Sequence, residues 1–343
     1  MNEVRLALIG FGNVAQGFTN ILKEYGDQYE SKYGIRFLIT AVADKSCGNV
    51  LNPDGLSPAA LLEAMEIDHC LNNLPGSHPD WDAMEIIQSS PADVVIEMSY
   101  TNLETGEPAT GYIAEALSRK KHVVTTNKGP IALHYDRLNE LAHIHGVQLC
   151  AEGTVMSGSP VLRVGQKLLA AAQIQRIEGI LNGTTNYILT QMASGQSYAE
   201  ALAEAQRMGV AEADPTGDVE GYDAAAKVAI LARLVLGEDL PFGSVDRKGI
   251  TALTVEDIAN ATSEGKTWKL IGGVERIESG VKGWVRPVCL PGDHPLARIN
   301  GLTNAVLFTT DLLGDVTITG PGAGRKETGY AVVQDLFRIY NVR

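Results

Sequence analysis

The chain has 343 residues, 45% hydrophobic and 6% aromatic with 36 glycines, which suits a two-domain α/β enzyme with a sizeable core. Its 41 acidic against 28 basic residues give a net charge of −13, which argues against nucleic acid or an anionic membrane surface as the main partner. Cys47, Cys70, Cys150 and Cys289 are widely spaced and read as free thiols; with no basic, apolar leader and no run near the roughly 20 apolar residues of a membrane span, a soluble cytoplasmic protein is expected.

Val4–Ile9 reads as a buried strand and is followed by Gly10-Phe11-Gly12-Asn13-Val14-Ala15. A helix comes next, with Val14, Phe18, Ile21 and Leu22 on one face. Strand, glycine turn and helix are the dinucleotide-binding arrangement: Gly10 for the turn, Gly12 for close approach of a pyrophosphate, and free N–H groups at the helix start. Ala15 replaces the third glycine of the usual motif. A second strand, Arg36–Ala43, ends in Asp44-Lys45. The acid would bind ribose hydroxyls and favour NAD, and the base would favour the 2′-phosphate of NADP, so the preference stays open. The interval from Gly12 to Asp44 exceeds the usual 20 or so residues, and Tyr25–Tyr33 is expected to be an inserted polar loop.

Turn-rich loops and short helices follow, and then the strand Asp93–Glu97, Ser99-Tyr100-Thr101-Asn102 and a helix over Pro108–Leu117. The strand His122–Thr125 leads to Asn127-Lys128-Gly129-Pro130 and a helix over Ile131–His145. Ligands of open parallel sheets bind at the carboxyl ends of the strands, so Ser99, Thr101 and Lys128 should face the cofactor and substrate crevice. For Lys128 the bland alternative is a solvated loop lysine. His143 and His145 diverge on their helix and lack a complementing acid or cysteine, which disfavours a zinc site.

Val147–Cys150 reads as a strand, and the loop from Ala151 to Pro160 as a hinge between domains, with oxygen ligation of a hard monovalent cation around Glu152 as the less favoured reading. A helix over Pro160–Leu169 and the strand Ile174–Leu181 follow, then a polar cluster, Asn182-Gly183-Thr184-Thr185-Asn186, capping a helix over Tyr187–Met192. After the helix Ser197–Met208 come Glu212, Asp214, Asp218, Glu220 and Asp223, and then an alanine-rich helix from Tyr222 with Val228, Ile230, Leu231, Leu234 and Val235 as its apolar face. Asp223 and Lys227 are four apart and share a face. Such a pair is commonly a weak surface ion pair. Here Ala224, Ala225, Ala226, Val228 and Ala229 surround the lysine, so its amine should sit in a dry place and act as a proton donor or acceptor tuned by the carboxylate. The acids before it would bind an ammonium or hydroxyl group of a substrate. Lys269–Ile277 and Val281–Val288 read as a hairpin, with further strands at Val306–Thr310 and Val316–Thr319, building an open sheet whose exposed face pairs with a second subunit. Gly320-Pro321-Gly322-Ala323-Gly324 opens a helix over Lys326–Ile339 that returns to the first domain, with Gly322 offering close approach to a cofactor.

Taken together, GFGNVA at 10–15, TNKGP at 126–130, AEGTVMSGSPV at 151–161, LNGTTNYI at 181–188, ADPTGDVEGYDAAAKVAILA at 213–232 and GPGAG at 320–324 resemble the homoserine dehydrogenase family over nearly the whole chain. The likeness is to its short form, without an ACT or aspartate kinase domain. It implies a Rossmann-type nucleotide-binding domain, 1–150 with 320–343, and an α+β catalytic and dimerisation domain with an open mixed sheet, 151–319. The activity implied is NAD(P)-dependent interconversion of L-homoserine and L-aspartate 4-semialdehyde, on the path to threonine, methionine and isoleucine.

By the same resemblance Lys227 is the proton donor and acceptor, Asp223 its orienting acid and Lys128 a second active-site lysine. Glu212 and Asp218 would contact the amino and hydroxyl ends of the substrate, with Asp214, Gly183 and Thr184 near its other polar groups. NAD or NADP would lie on Gly10, Phe11, Gly12, Asn13, Val14, Asp44, Lys45, Ser99, Thr101, Lys128 and Gly322. The resemblance also implies a sodium-type ion held by Glu152 and the carbonyls of Val155, Ser157 and Ser159, which shifts the reading of this loop from hinge towards metal site. A homodimer, or a tetramer made of two, is the expected assembly. Gly217 stands where some members carry another acid. A rival reading, a semialdehyde dehydrogenase forming an acyl phosphate, needs a nucleophilic cysteine that no cysteine's setting supplies.

Overall fold

The N-terminal apolar run forms β1 (Asn2–Ile9), whose residues from Leu6 to Ile9 are buried in the computed structural model, which describes residues 2–342. With β2 (Ile35–Asp44), β3 (Gly48–Leu51), β4 (Val94–Glu97), β5 (His122–Thr125) and β6 (Leu149–Cys150) it makes a six-stranded sheet in the order β3-β2-β1-β4-β5-β6. All neighbours are parallel except β2 and β3. Helices cover the faces of such a sheet, which is why its strands read as unbroken apolar runs. Strand order reverses between β1 and β4, and the crevice outside the carboxyl ends at that point is where the fold receives a ligand.

The stretch Tyr25–Tyr33 is not an inserted loop. It continues one helix, Asn13–Tyr33, that ends at Gly34. Phe18, Ile21, Leu22, Tyr25, Tyr29 and Tyr33 recur three or four residues apart and so line one face. The rings of Tyr29 and Tyr33 each lie 5.2 Å from that of Phe337 on the C-terminal helix, Arg325–Ile339. The long interval from Gly12 to Asp44 is therefore extra helix.

The chain divides into two compact units, one holding the residues up to Gly158 with those from Gly324 onward, the other Ser159–Ala323. The loop 151–158, expected to open the second domain, lies with the first. Its Glu152 N–H donates to Asp335 Oδ2 at 2.9 Å, the Ser157 and Thr328 hydroxyls meet at 2.9 Å, and Gln334 Nε2 donates to the Gly158 carbonyl at 3.1 Å. All three partners sit on the C-terminal helix.

The second unit is built on β7 (Ile174–Ile180), β8 (Asp246–Arg247), β9 (Lys266–Ile277), β10 (Gly280–Pro291), β11 (Thr303–Thr310) and β12 (Gly314–Pro321), in the order β12-β11-β7-β9-β10-β8. Only β8 runs parallel to its neighbour, so the sheet is mixed. The helices Gly183–Ala193 and Tyr222–Leu231 pack on it. The first begins four residues earlier than expected, because Asn182 caps it: Asn182 Oδ1 accepts the Thr185 N–H at 2.9 Å. Gly183 and Thr184 thus belong to its first turn. The expected helix from Pro160 is also modified, running helically over Val161–Arg163 and then as a π-helical turn, Val164–Leu168. Among the described residues no helix is long and apolar enough to cross a membrane.

Candidate active site

In the second unit the sequence-predicted pair is joined by a third residue. Lys227 is 7% exposed on a helix whose Ala224, Ala225, Ala226, Val228 and Ala229 are all buried. Its Nζ donates to Asp223 Oδ2 and to the carbonyl of Leu181, both at 2.6 Å. An ammonium has three N–H donors, so one is left for an incoming oxygen. Asn182 Nδ2 donates to Asp223 Oδ2 at 3.1 Å and to Asp218 Oδ1 at 2.7 Å, bridging two carboxylates with one amide. Burial first, and the neighbouring Asp223 carboxylate second, hold the Asp218 carboxyl above its ordinary pKa. Thr184 lies beside this group and donates its hydroxyl to the Val210 carbonyl at 3.2 Å.

Glu212 and Asp214 stand exposed on the loop before the cluster. Asp214 turns back to accept the Thr216 N–H at 3.1 Å, which holds its carboxyl below the usual range. Glu220 is taken up structurally, accepting from the Thr251 hydroxyl at 2.7 Å. The signal for Asn182 was local: an asparagine one residue before Gly-Thr-Thr is a helix cap, and its amide is then fixed beside whatever the first turn faces.

In the first unit the glycine turn has the geometry its sequence implies. Gly10 has φ 88°, and a Cβ there would lie 2.6 Å from the Met98 carbonyl oxygen, so only glycine fits between β1 and the end of β4. Gly12 faces open space, and Asn13 and Val14 begin the helix with their N–H groups at its positive end. Phe11 is buried and spends its N–H on Asp44 Oδ2 at 2.7 Å. Asp44 Oδ1 accepts the Ser46 and Cys47 N–H groups at 2.8 and 3.0 Å, while Lys45 is exposed. Open backbone at Gly12, a helix start and a fixed carboxylate at the end of β2 fit a dinucleotide.

Ser99 and Thr101 follow β4, and Lys128 is the first residue of the helix Lys128–His145, behind its cap Asn127. Asn127 Nδ2 ties this helix start to the β4 loop through the carbonyls of Ser99 and Tyr100, at 3.3 and 3.1 Å. Gly322 falls in the second unit, packed against the Asn304 side chain.

The cation loop carries backbone strain. Met156 and Ser157 are consecutive non-glycine residues in the left-handed region, with φ 55° and 54°, and both are buried. Among the backbone hydrogen bonds of the described residues the Ser159 carbonyl accepts the Val161 N–H at 2.7 Å and no N–H reaches the Val155 or Ser157 carbonyl. Buried oxygens of this kind beside an acid are what a hard monovalent cation takes, so the loop fits one. The cysteines remain unsuited to covalent catalysis: Cys150 is buried in β6, and burial with the adjacent Asp44 pushes the Cys47 thiol up to about 11.

Two family models match, one described as "Homoserine dehydrogenase" over residues 160–337 and one as "Homoserine dehydrogenase, NAD binding domain" over residues 10–152. The chain is 45% identical to an NAD(+)-dependent homoserine dehydrogenase of Pseudomonas canavaninivorans, covering 99% of this chain and 97% of that one. It is 40% identical to a homoserine dehydrogenase of Methanocaldococcus jannaschii, with 98% of each covered. A hyperthermophilic archaeal homoserine dehydrogenase solved in complex with NADPH superimposes with a TM-score of 0.85 at 28% identity, over 99% of this chain and 100% of that one.

Proposed function

Because the chain belongs to the homoserine dehydrogenase family and is therefore an NAD(P)-dependent oxidoreductase, we propose that Lys227 carries its proton transfer between L-homoserine and L-aspartate 4-semialdehyde. The observation that carries this reading is the buried ammonium with two N–H groups already spent on Asp223 and Leu181. The remaining N–H donates to the aldehyde oxygen as that oxygen gains negative charge, and the neutral amine takes the hydroxyl proton in reverse. Asp223 orients the ammonium. Asp218, Glu212 and Asp214 receive the amino and hydroxyl groups of the substrate, with Gly183 and Thr184 at its other polar end. Lys128 serves as the second active-site lysine.

The nicotinamide cofactor, when bound, supplies or accepts the hydride. Gly10, Gly12, Asn13 and Val14 would hold its pyrophosphate, with Phe11, Ser99, Thr101 and Gly322 lining its path. Asp44, held by three backbone N–H groups, reads the ribose hydroxyls and favours NAD over NADP, as the name of the Pseudomonas relative also has it, with exposed Lys45 a minor influence. Glu152, Val155, Ser157 and Ser159 would hold a monovalent cation that fixes the strained loop. The protein works in the cytoplasm as a homodimer, a reading supported by the exposed edge strand β12 and by the exposed Leu312 and Leu313 at the turn before it.

Absorbance at 340 nm with L-homoserine and either NAD or NADP tests the reading. Wild type should reduce cofactor steadily, and Lys227→Ala should lose about three orders of magnitude in rate. A wild type that binds a cofactor but is silent with L-homoserine would overturn the reading at the substrate.

A further inference from the structure

Glu97 is the last residue of β4 and pairs with Ile9 of β1, at the point where strand order reverses. Its side chain is fully buried. Oε1 accepts from the Ser99 N–H at 2.8 Å and from the Ser99 hydroxyl, and Oε2 accepts from the Thr125 hydroxyl at 2.9 Å. The Thr125 oxygen in turn receives the Asn127 N–H at 3.0 Å. Burial raises the Glu97 carboxyl above its ordinary pKa and the hydrogen bonds from Ser99 and Thr125 pull it back down, so a positive charge nearby is what would hold it ionised. Among the described residues it makes no ion pair.

An uncompensated buried carboxylate is one of the most costly groups a protein interior can hold. The fold places ligands outside the carboxyl ends of β4 and β5, next to this residue. Of the two forms of a nicotinamide cofactor, the oxidised ring is a cation and the reduced ring is neutral. We propose that Glu97 is the counter-charge of the oxidised nicotinamide, a buried anion at the switch point that favours NAD⁺ over NADH on the protein. The proposal rests on the ends of β4 and β5 being the nicotinamide crevice.

The test is the dissociation constant of each redox form for wild type and Glu97→Gln, from NADH fluorescence and calorimetric titration of NAD⁺. One charge acting on another across roughly 10 Å of protein interior is worth about tenfold in affinity. The ratio Kd(NAD⁺)/Kd(NADH) should therefore rise about tenfold in the variant, with NADH binding little changed. Ser99→Ala keeps the charge and removes a donor, and should move both forms together. Equal weakening of both forms in Glu97→Gln, or no change in either, overturns the proposal and reduces Glu97 to a support for the loop. If that variant fails to fold, wild type decides: NAD⁺ should bind at least as tightly as NADH, and a tenfold preference for NADH sinks the idea. A wild type that binds neither form overturns the crevice reading and this proposal with it, whereas binding with an unaltered ratio in the variant overturns the proposal alone.

Discussion

Replacing Lys227 by Met removes a charge while keeping most of the side-chain volume, and its cost can be worked from the contacts. The ammonium is 2.6 Å from Asp223 Oδ2 and 2.6 Å from the Leu181 carbonyl oxygen. Without it, Asp223 loses its ammonium and keeps the amide of Asn182, and the Leu181 carbonyl loses a donor. Breaking a fully buried pair by removing one partner costs about 3–5 kcal/mol. These side chains are 9% and 19% exposed, so solvent discounts the loss to about 2–3 kcal/mol. Replacing Asp223 by Leu as well takes away the carboxylate that lost its ammonium, and most of the stability should return while activity does not. Trp268 and Trp284 lie in the second unit and Trp81 in the first, so tryptophan fluorescence through a urea titration, with Trp81 replaced by Phe in every variant, reads the unfolding of the second unit. Lys227→Met should lose roughly a thousandfold in kcat and the stated stability, and the double variant should regain only the stability. A double variant no more stable than the single one would show that charge pairing is not what Lys227 contributes. A single variant keeping more than a tenth of kcat would move the proton chemistry to Lys128 or a water.

Asp44→Asn keeps an acceptor for the Phe11 N–H but removes the charge that repels a 2′-phosphate, so kcat/KM for NADP relative to NAD should rise about tenfold, as initial rates with both cofactors would show. Lys269 is buried with its ammonium on Asn186 Oδ1 at 3.0 Å, Asn300 Oδ1 at 2.9 Å and the Ile299 carbonyl, and burial lowers its pKa from 10.5 to about 8. Between pH 8 and 10.5 the unfolded chain therefore binds more protons, so the wild type should gain stability as pH rises through that window, by up to about 1.4 kcal/mol per unit relative to Lys269→Met. Paired urea titrations at pH 8, 9 and 10 check the sign. The Asn304 carboxamide is buried with neither Nδ2 nor Oδ1 hydrogen-bonded among the described residues. Asn304→Leu should stabilise the second unit by about 1–2 kcal/mol in the same assay, and a destabilised variant would mean that this amide has a partner in solution.

The parallel strands of the first sheet were legible because both their faces are buried, and Val94–Glu97 or His122–Thr125 then read as apolar runs with sharp ends. The Asp223–Lys227 pair was legible because helical spacing and flanking alanines are local facts. The second half of the helix Asn13–Tyr33 was not. Asp27, Gln28, Glu30, Ser31 and Lys32 dominate its composition, and the aromatic stripe beneath them acquires meaning only from Phe337 at the other end of the chain. The loop 151–158 failed for the same reason, since what holds it is the helix Arg325–Ile339. Asn182 and Glu97 carry few local marks of their roles. One is a common helix cap and the other an acid closing a strand, and only the tertiary partners turn them into a carboxylate bridge and a buried, hydrogen-bonded carboxyl group.

The position of the Lys227 amine is set by residue size as much as by charge. Its helix buries Ala224, Ala225, Ala226 and Ala229, side chains short enough for close packing on every side. On the sheet side Gly272 of β9 lies where a Cβ would sit 2.8 Å from Leu181 Cδ1 and 3.0 Å from Val228 Cγ2. Leu181 supplies the carbonyl that receives the ammonium, and Val228 follows the lysine in sequence. The missing methyl at 272 and the short side chains opposite thus fix the gap that the lysine must span. A long, flexible side chain becomes a positioned proton donor because the apolar spacing around it leaves one place for its end. The ammonium of Lys227 is then paired with Asp223, unlike that of Lys269, which only neutral oxygens receive, and Asn182 joins Asp223 to Asp218 through one amide.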